Sequence, residues 1–310
     1  MNSRLERVTL FTTEVTDNYM KPADIRRMNT LVADLRPIEP LRVLDIGANP
    51  LIEGDVSYKP LLDHGHAEVF GFEPQEDALA ALNDRKSDNE TYLPHALGDG
   101  KEKTLHLYQQ GGFTSIFPAN ESSARYLGFE KGMTEKDAIK IKTRKLDSLK
   151  EIPTVDFLKI DVQGSEKTIL EHGKKKLSNA IALQTEVRMF PLYRNEPRYG
   201  ELEAEIVTQG FEFLRFASMK HVSLARRHRG RIRRHDFAQA VDGDAFFVRD
   251  LRHVDSYTDE QLKKLAIIGD AIMGLFDVTL YALDILVERS VITEDVINRY
   301  FNNIPKERLR

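Results

Sequence analysis

A chain of 310 residues, 41% hydrophobic and with a formal net charge of −4, has material for one large domain or for a domain with an appendage. The mildly negative balance argues against wholesale binding to nucleic acid or to a membrane surface. Cysteine is absent, which excludes disulfides, thiolate metal sites and cysteine nucleophiles and fits a reducing cytosol, so a cytoplasmic location is expected. Arg4, Glu6 and Arg7 leave no apolar core of signal-peptide length, and no uncharged stretch is long enough for a spanning helix. A soluble protein is expected.

Residues 1–20 show little periodicity. Ile25, Met28, Leu31, Val32 and Leu35 then follow helical spacing from Pro22, a residue suited to a first turn. Pro37 and Pro40 end that helix ahead of Leu41–Asp45, a short apolar run of the kind that forms a buried parallel strand. Gly47 turns the chain sharply. Pro60-Leu61-Leu62 predicts a short helix closed by Gly65, and Ala67–Phe72 a second strand ending at Glu73-Pro74. A helix at Asp77–Leu82 and a third strand at Thr91–Ala96 follow, and Gly98-Asp99-Gly100 leads into a further strand at Lys103–Tyr108.

Gly111–Ser115 is a polar, glycine-bearing loop. Val155–Ile160 predicts a strand ending in Asp161, with Gly164-Ser165-Glu166 opening a helix at Lys167–Leu177. Ala180–Thr185 is a strand ending at Glu186, and Tyr199–Gln209 a helix closed by Gly210. Phe211–Phe216 and Ala245–Val248 form a final antiparallel pair across a long basic connection. Strands alternating with helices argue for a mainly parallel sheet covered on both faces. Thr258–Gln261 is a capping box, from which one long apolar helix is expected to run to about Glu288. A last helix from Thr293 carries Val296, Ile297, Tyr300 and Phe301 on one side. Asp277 and Asp284 speak against membrane insertion, so this apolar surface must pack on the domain or join subunits.

Asp45, Glu73, Asp161 and Glu186 stand at the predicted ends of successive strands, where ligands bind in open α/β sheets. Singly, each is as well explained as a helix cap or a solvated charge; four in register ask for more. Glu73 lies at the distance from Gly47 at which a carboxylate accepts hydrogen bonds from ribose hydroxyls. The G-x-G-x-x-G of a dinucleotide site is missing, since Ala48, Asn49 and Pro50 follow Gly47. A phosphate cradle is poorly served. A ligand with a cationic end and a ribose, such as S-adenosylmethionine (SAM), suits these residues better.

Asp45-Ile46-Gly47-Ala48-Asn49, Gly71-Phe72-Glu73-Pro74 and Phe157–Glu166, which contains Asp161-Val162-Gln163-Gly164-Ser165-Glu166, resemble successive signatures of the FkbM family of SAM-dependent methyltransferases. His95–Asp99, Thr114-Ser115, Thr185-Glu186-Val187, Pro191-Leu192-Tyr193 and Asp244–Val248 resemble it further. The match spans Leu41 to Arg249. It implies an α/β fold, a seven-stranded Rossmann-like class I methyltransferase sheet with its last strand antiparallel, here with an added C-terminal helical segment. It also implies O-methylation, typically of sugar hydroxyls in glycans, glycolipids or glycosylated natural products. One departure stands out: Pro50–Gly54 intervene where family members place a glycine two residues after the Asn.

Carried over by position, Asp45, Gly47 and Asn49 would line the methionine side, and Glu73, with Pro74 beside it, would hold the ribose. Ala96 and Leu97 would flank the adenine, Thr114 and Ser115 would close the pocket, and Gln163 would border the transferred methyl. Asp161 is expected to be the base or acceptor-orienting group, with Glu186 as its partner. The two carboxylates could instead hold Mg²⁺ through oxygen ligands, but the resemblance leans against a metal.

Lys220, Arg226, Arg227, Arg229, Arg231, Arg233 and Arg234, with His221, His228 and His235, crowd the last connection. They form either a solvated loop or a rim for an anionic acceptor, such as a nucleotide sugar, an acidic glycan or a lipid headgroup. Nucleic acid lacks the interleaved aromatics it would want there. The remaining histidines have no metal-ligand spacing. The expected organisation is an N-terminal helical extension over 1–40, a methyltransferase domain over 41–250 and a helical appendage over 251–310 that joins a homo-oligomer. A nicotinamide-dependent oxidoreductase and a non-catalytic scaffold with a vestigial pocket remain the alternatives.

Overall fold

The computed structural model describes residues 22–49, 56–225 and 227–310. The expectations resting on residues 1–20, on Pro50–Gly54 and on Arg226 lie outside the described residues.

The chain begins with α1 (Pro22–Leu35), β1 (Leu41–Ile46), α2 (Lys59–Asp63), β2 (Ala67–Phe72), α3 (Glu76–Arg85) and β3 (Glu90–Leu93). It continues through β4 (Ala96–Leu97), β5 (Glu102–Tyr108), α4 (Glu121–Leu127), β6 (Glu135–Arg144), β7 (Phe157–Ile160), α5 (Glu166–Glu171), β8 (Ala182–Arg188) and α6 (Tyr199–Thr208). The long pair β9 (Phe211–Val222) and β10 (Gln239–Arg249) leads into α7 (Asp259–Ala271), α8 (Phe276–Glu288) and α9 (Glu294–Asn302).

Seven strands form one sheet in the order β3-β2-β1-β7-β8-β10-β9. All neighbours are parallel up to β8, and β10 is antiparallel to both β8 and β9. This is the predicted Rossmann-like methyltransferase sheet. Period-two alternation sends Val43, Val69, Phe157 and Phe246 to one face and Leu44, Ile46, Leu158, Ile160 and Phe247 to the other. The first face is covered by α1, α2, α7, α8 and α9, the second by α5 and α6. A separate sheet, β4-β6-β5, rises beside the carboxyl ends of the strands.

α1 and the C-terminal helices form one layer. Arg27 Nε reaches the buried Asp270 at 2.7 Å, and Tyr300 donates to the same carboxylate at 2.7 Å, tying α1, α7 and α9 together. Leu262, Leu265, Ala266, Ile268, Leu283 and Leu286 are buried within the chain, so much of the apolar surface that suggested a subunit interface packs on the chain's own sheet. Among the described residues no helix is long and apolar enough to cross a membrane.

Five elements differ from expectation. The expected third strand divides: β3 stops at Leu93, and Ala96-Leu97 pairs with Thr143 and Arg144 in the smaller sheet. α5 stops at Glu171, capped at His172, and Gly173 discourages a further turn. The single C-terminal helix is two, broken at Ile272–Leu275 with Gly274 at φ +61°, a left-handed position that lets α8 fold back on α7. The segment 116–154 drew no expectation yet holds α4 and β6, because β6 alternates charged and apolar residues that are mostly exposed. β8 runs past Glu186 to Arg188, so Glu186 lies inside the strand, opposite Asp244.

Candidate active site

Gly47 is required twice over. Its φ of +90° is a left-handed value, and a Cβ built there would lie 2.0 Å from the Asp161 carbonyl oxygen. Its N–H bonds Phe72 O at 3.1 Å, so the ends of β1, β2 and β7 converge on this turn. The cleft above it is walled by Gly47, Asn49, Glu73, Pro74, Thr114, Asp161 and Gln163, with Gly111 and Gly112 on the facing loop. Seven of the twelve site residues expected from the sequence therefore share one cavity.

Glu73 is buried, and its Oε1 accepts the Gln75 N–H at 2.7 Å. Burial pushes its carboxyl above the ordinary range against those bonds, and the charge of Asp45 adds to the rise. Such a group gains from hydroxyl donors of a bound ligand.

Asp45, Ala96, Leu97, Ser115 and Glu186 are outside that wall. Strand alternation puts Asp45 on the α2 side, where its register partner Lys159 stands 3.3 Å away and Tyr58 donates to it at 2.5 Å. Ser115 is a brace: its Oγ donates to Gln163 O at 2.6 Å and accepts the Phe117 N–H at 3.0 Å. Ala96 and Leu97 sit in the smaller sheet, near Phe72 and His95, whose rings stack with centroids 6.4 Å apart.

Behind the cleft lies a network that the sequence did not announce. Gln163, at φ +56°, donates from Nε2 to Asp161 Oδ1 at 2.9 Å. Its Oε1 accepts from Arg188 Nη2 and from the Tyr193 hydroxyl, both at 3.2 Å. The amide orientation is thereby fixed, nitrogen towards Asp161. Arg188 is buried and also meets Glu186 Oε2 and Asp242 Oδ2 at 2.9 Å. Its Nε lies 3.2 Å from Glu196 Oε2, close enough for attraction but not aligned for a hydrogen bond. Burial opposes the guanidinium charge, yet Glu186, Asp242 and Glu196 outweigh it and hold Arg188 well above its usual range.

The carboxylates respond in kind. Burial lifts Glu186 well above the ordinary range, Arg188 pulls it back, and Asp161, Asp242 and Glu166 push it further up. Glu166 is pushed up to about 7 by burial, although it accepts the Val162 N–H at 2.9 Å and the Gly164 N–H at 3.0 Å. Burial also raises Asp244, with Asp161 adding to the effect. Asp161, Glu166 and Glu186 offer oxygens within 4.8 Å of one another.

Arg188, Glu166, Tyr193, Glu196, Asp242 and Asp244 were thus missed as site residues. The signal for Arg188 was its place two residues beyond Glu186, on the same face of one strand. Glu196 and Asp242 had no local signal.

The methyltransferase FkbM domain matches residues 45–213 of this chain. Among solved structures, a methyltransferase FkbM from Methylobacillus flagellatus is similar at 14% identity and a TM-score of 0.35, covering 67% of this chain and 43% of that one. This chain thus spans less than half the length of that relative. Magnesium protoporphyrin IX methyltransferase from Synechocystis, with bound SAM, matches at 12% identity and a TM-score of 0.34, over 74% of this chain and 80% of that one. A TehB-like SAM-dependent methyltransferase from Corynebacterium glutamicum matches at 10% identity and a TM-score of 0.32, over 74% and 88%. No curated protein matches the chain in sequence. With the family domain covering more than half its length, from Asp45 through Glu73, Asp161 and Glu186, the chain belongs to the FkbM family of SAM-dependent methyltransferases.

Proposed function

We propose that this protein transfers the methyl group of SAM to a hydroxyl of a sugar in a glycan, glycolipid or glycosylated metabolite. The observation that carries this is the pairing of two acids, Glu73 after β2 and Asp161 after β7, in the wall of one cleft, with the Gly47 turn of the intervening β1 between them. When bound, SAM supplies a methyl carbon on a sulfonium, open to in-line displacement. Glu73 accepts the ribose hydroxyls, and Asn49 and the Gly47 turn border the methionine end. Asp161 would accept the proton of the acceptor hydroxyl as its oxygen takes the methyl group, while the methyl–sulfur bond breaks and its electron pair stays with the departing thioether. Gln163 and Arg188 hold Asp161 in place for that step. Alignment of an acceptor oxygen about 3 Å from the methyl carbon can supply roughly 7–11 kcal/mol, and proton removal roughly 10²–10⁴-fold.

Membership in a methyltransferase family sets hydride transfer aside. The three clustered carboxylates could face a cation, but each already has protein partners: Gln163 for Asp161, backbone N–H groups for Glu166, Arg188 for Glu186. The proposed reaction therefore runs without Mg²⁺. Incubation of the protein with methyl-labelled SAM and the host's glycan extract, followed by mass spectrometry, should show label on a sugar oxygen, in chelator as well as without it. Label on nitrogen, carbon or a non-carbohydrate product would sink the O-methylation proposal.

Glu73→Ala is expected to weaken SAM binding by roughly ten- to a hundredfold, the cost of losing hydrogen bonds to a charged acceptor. Calorimetric titration checks this, and an unchanged dissociation constant would remove Glu73 from the ribose site.

A further inference from the structure

The connection between β9 and β10 is the most strongly charged segment of the chain. Residues 223–238 hold six arginines against the one acid Asp236, a local net charge of +5 in a chain whose total is −4, which leaves −9 for the remainder. Arg227, Arg229, Arg231, Arg233 and Arg234 are all exposed. None of Arg227, Arg231 and Arg233 meets a carboxylate within ion-pair distance among the described residues.

Two further features separate this segment from an ordinary solvated loop. Leu224 and Ile232, at 46% and 39% exposure, are presented among the arginines and not folded under them. Two short turns, Arg229–Arg231 and Arg234–Asp236, give the tip a compact shape. Its position is set by the sheet. β10 pairs antiparallel with β8, Asp242 opposite Arg188, so the Gln239 end of β10 lies at the carboxyl end of the parallel strands. The tip therefore projects from the edge of the sheet that carries Glu73 and Asp161.

We propose that this hairpin tip docks the protein on an anionic phospholipid surface, arginines on the headgroups and Leu224 and Ile232 at the headgroup–acyl boundary. Basic residues near an anionic leaflet, arginine and lysine alike, each add roughly fivefold to partitioning. The exposed aliphatic side chains favour a bilayer over a nucleic acid, since the segment's one aromatic, Phe237, is half-buried with Arg229 over its ring and is a poor platform for bases. With the remainder of the chain acidic in sum, the tip is the favoured point of contact, and it lies at the edge of the sheet that carries the cleft. The docking does not depend on the methyl-transfer chemistry. Together the two would direct the enzyme to acceptors displayed on a bilayer.

The test is co-sedimentation of the full chain with phosphatidylcholine vesicles containing roughly a quarter phosphatidylglycerol, at about 0.1 M salt. Binding is expected to these vesicles and not to pure phosphatidylcholine, and it should be lost at about 1 M salt. The triple variant R227S/R231S/R233S should lose binding by tenfold or more, and R227K/R231K/R233K should keep it within a few-fold. SAM binding by both variants, read by calorimetry, shows that the fold is intact. Absence of binding to the anionic vesicles overturns the proposal, as does undiminished binding by the serine variant. Tighter binding of a single-stranded oligonucleotide than of the vesicles would also overturn it, assigning the tip to nucleic acid.

Discussion

Asp161→Ala is expected to abolish methyl transfer, a fall of roughly 10²–10⁴-fold or more, while SAM affinity stays within about tenfold. The side chain sits at the end of β7 in the cleft wall, held at 2.9 Å by Gln163, so its loss removes a proton acceptor without altering the Gly47 turn or Glu73. The wild-type rate should rise with pH between about 6 and 8. Glu166, pushed up to about 7 by burial, loses its proton in that window, and the added negative charge beside the transfer site favours departure of the acceptor's proton. Turnover of Asp161→Ala near the wild-type rate would leave the acceptor to be activated by positioning alone. A rate that is flat with pH in the wild type would separate Glu166 from the chemistry.

Arg188→Met should cost the fold about 3–5 kcal/mol, because it leaves Glu186, Glu196 and Asp242 without their shared buried cation. The loss should depend on pH. Burial already raises Glu186 and Glu196 above the ordinary carboxylate range, and Arg188 is what pulls each back. Without it their folded-state values rise further. Between the unfolded and folded values the native state then holds more protons than the unfolded chain, so stability falls as pH increases. Denaturant titrations should show a larger deficit near pH 8 than near pH 5, with Glu186→Gln partly restoring the variant. A deficit under about 1 kcal/mol, or one that is flat with pH, would show that the carboxylates are held by other means.

Legibility differed by element for physical reasons. The parallel strands at Leu41, Ala67 and Phe157 were readable because a strand buried on both faces is a short apolar run. β6 was not, since a mostly exposed strand of alternating lysines looks like a loop. The break at Gly274 was hidden because one glycine in an apolar run costs a helix only about 1 kcal/mol, and the closure of α8 on α7 decides the outcome.

The amino-acid sequence by itself determined the alternating strands and helices of the main sheet, the Gly47 turn and the acids near the strands' carboxyl ends. Each of these is local, arising from periodicity, a φ above zero or the residue that follows a strand. It took the tertiary structure to decide which acids face the cleft and which turn away. Asp45 goes to Lys159 and Tyr58 because strand alternation points it at α2, and Glu186 goes to Arg188 because β8 continues two residues past Glu186. The buried cation beneath the site joins residues from β8, the loop that follows β8, and β10, and such pairings follow from strand register across distant segments, which no local pattern encodes.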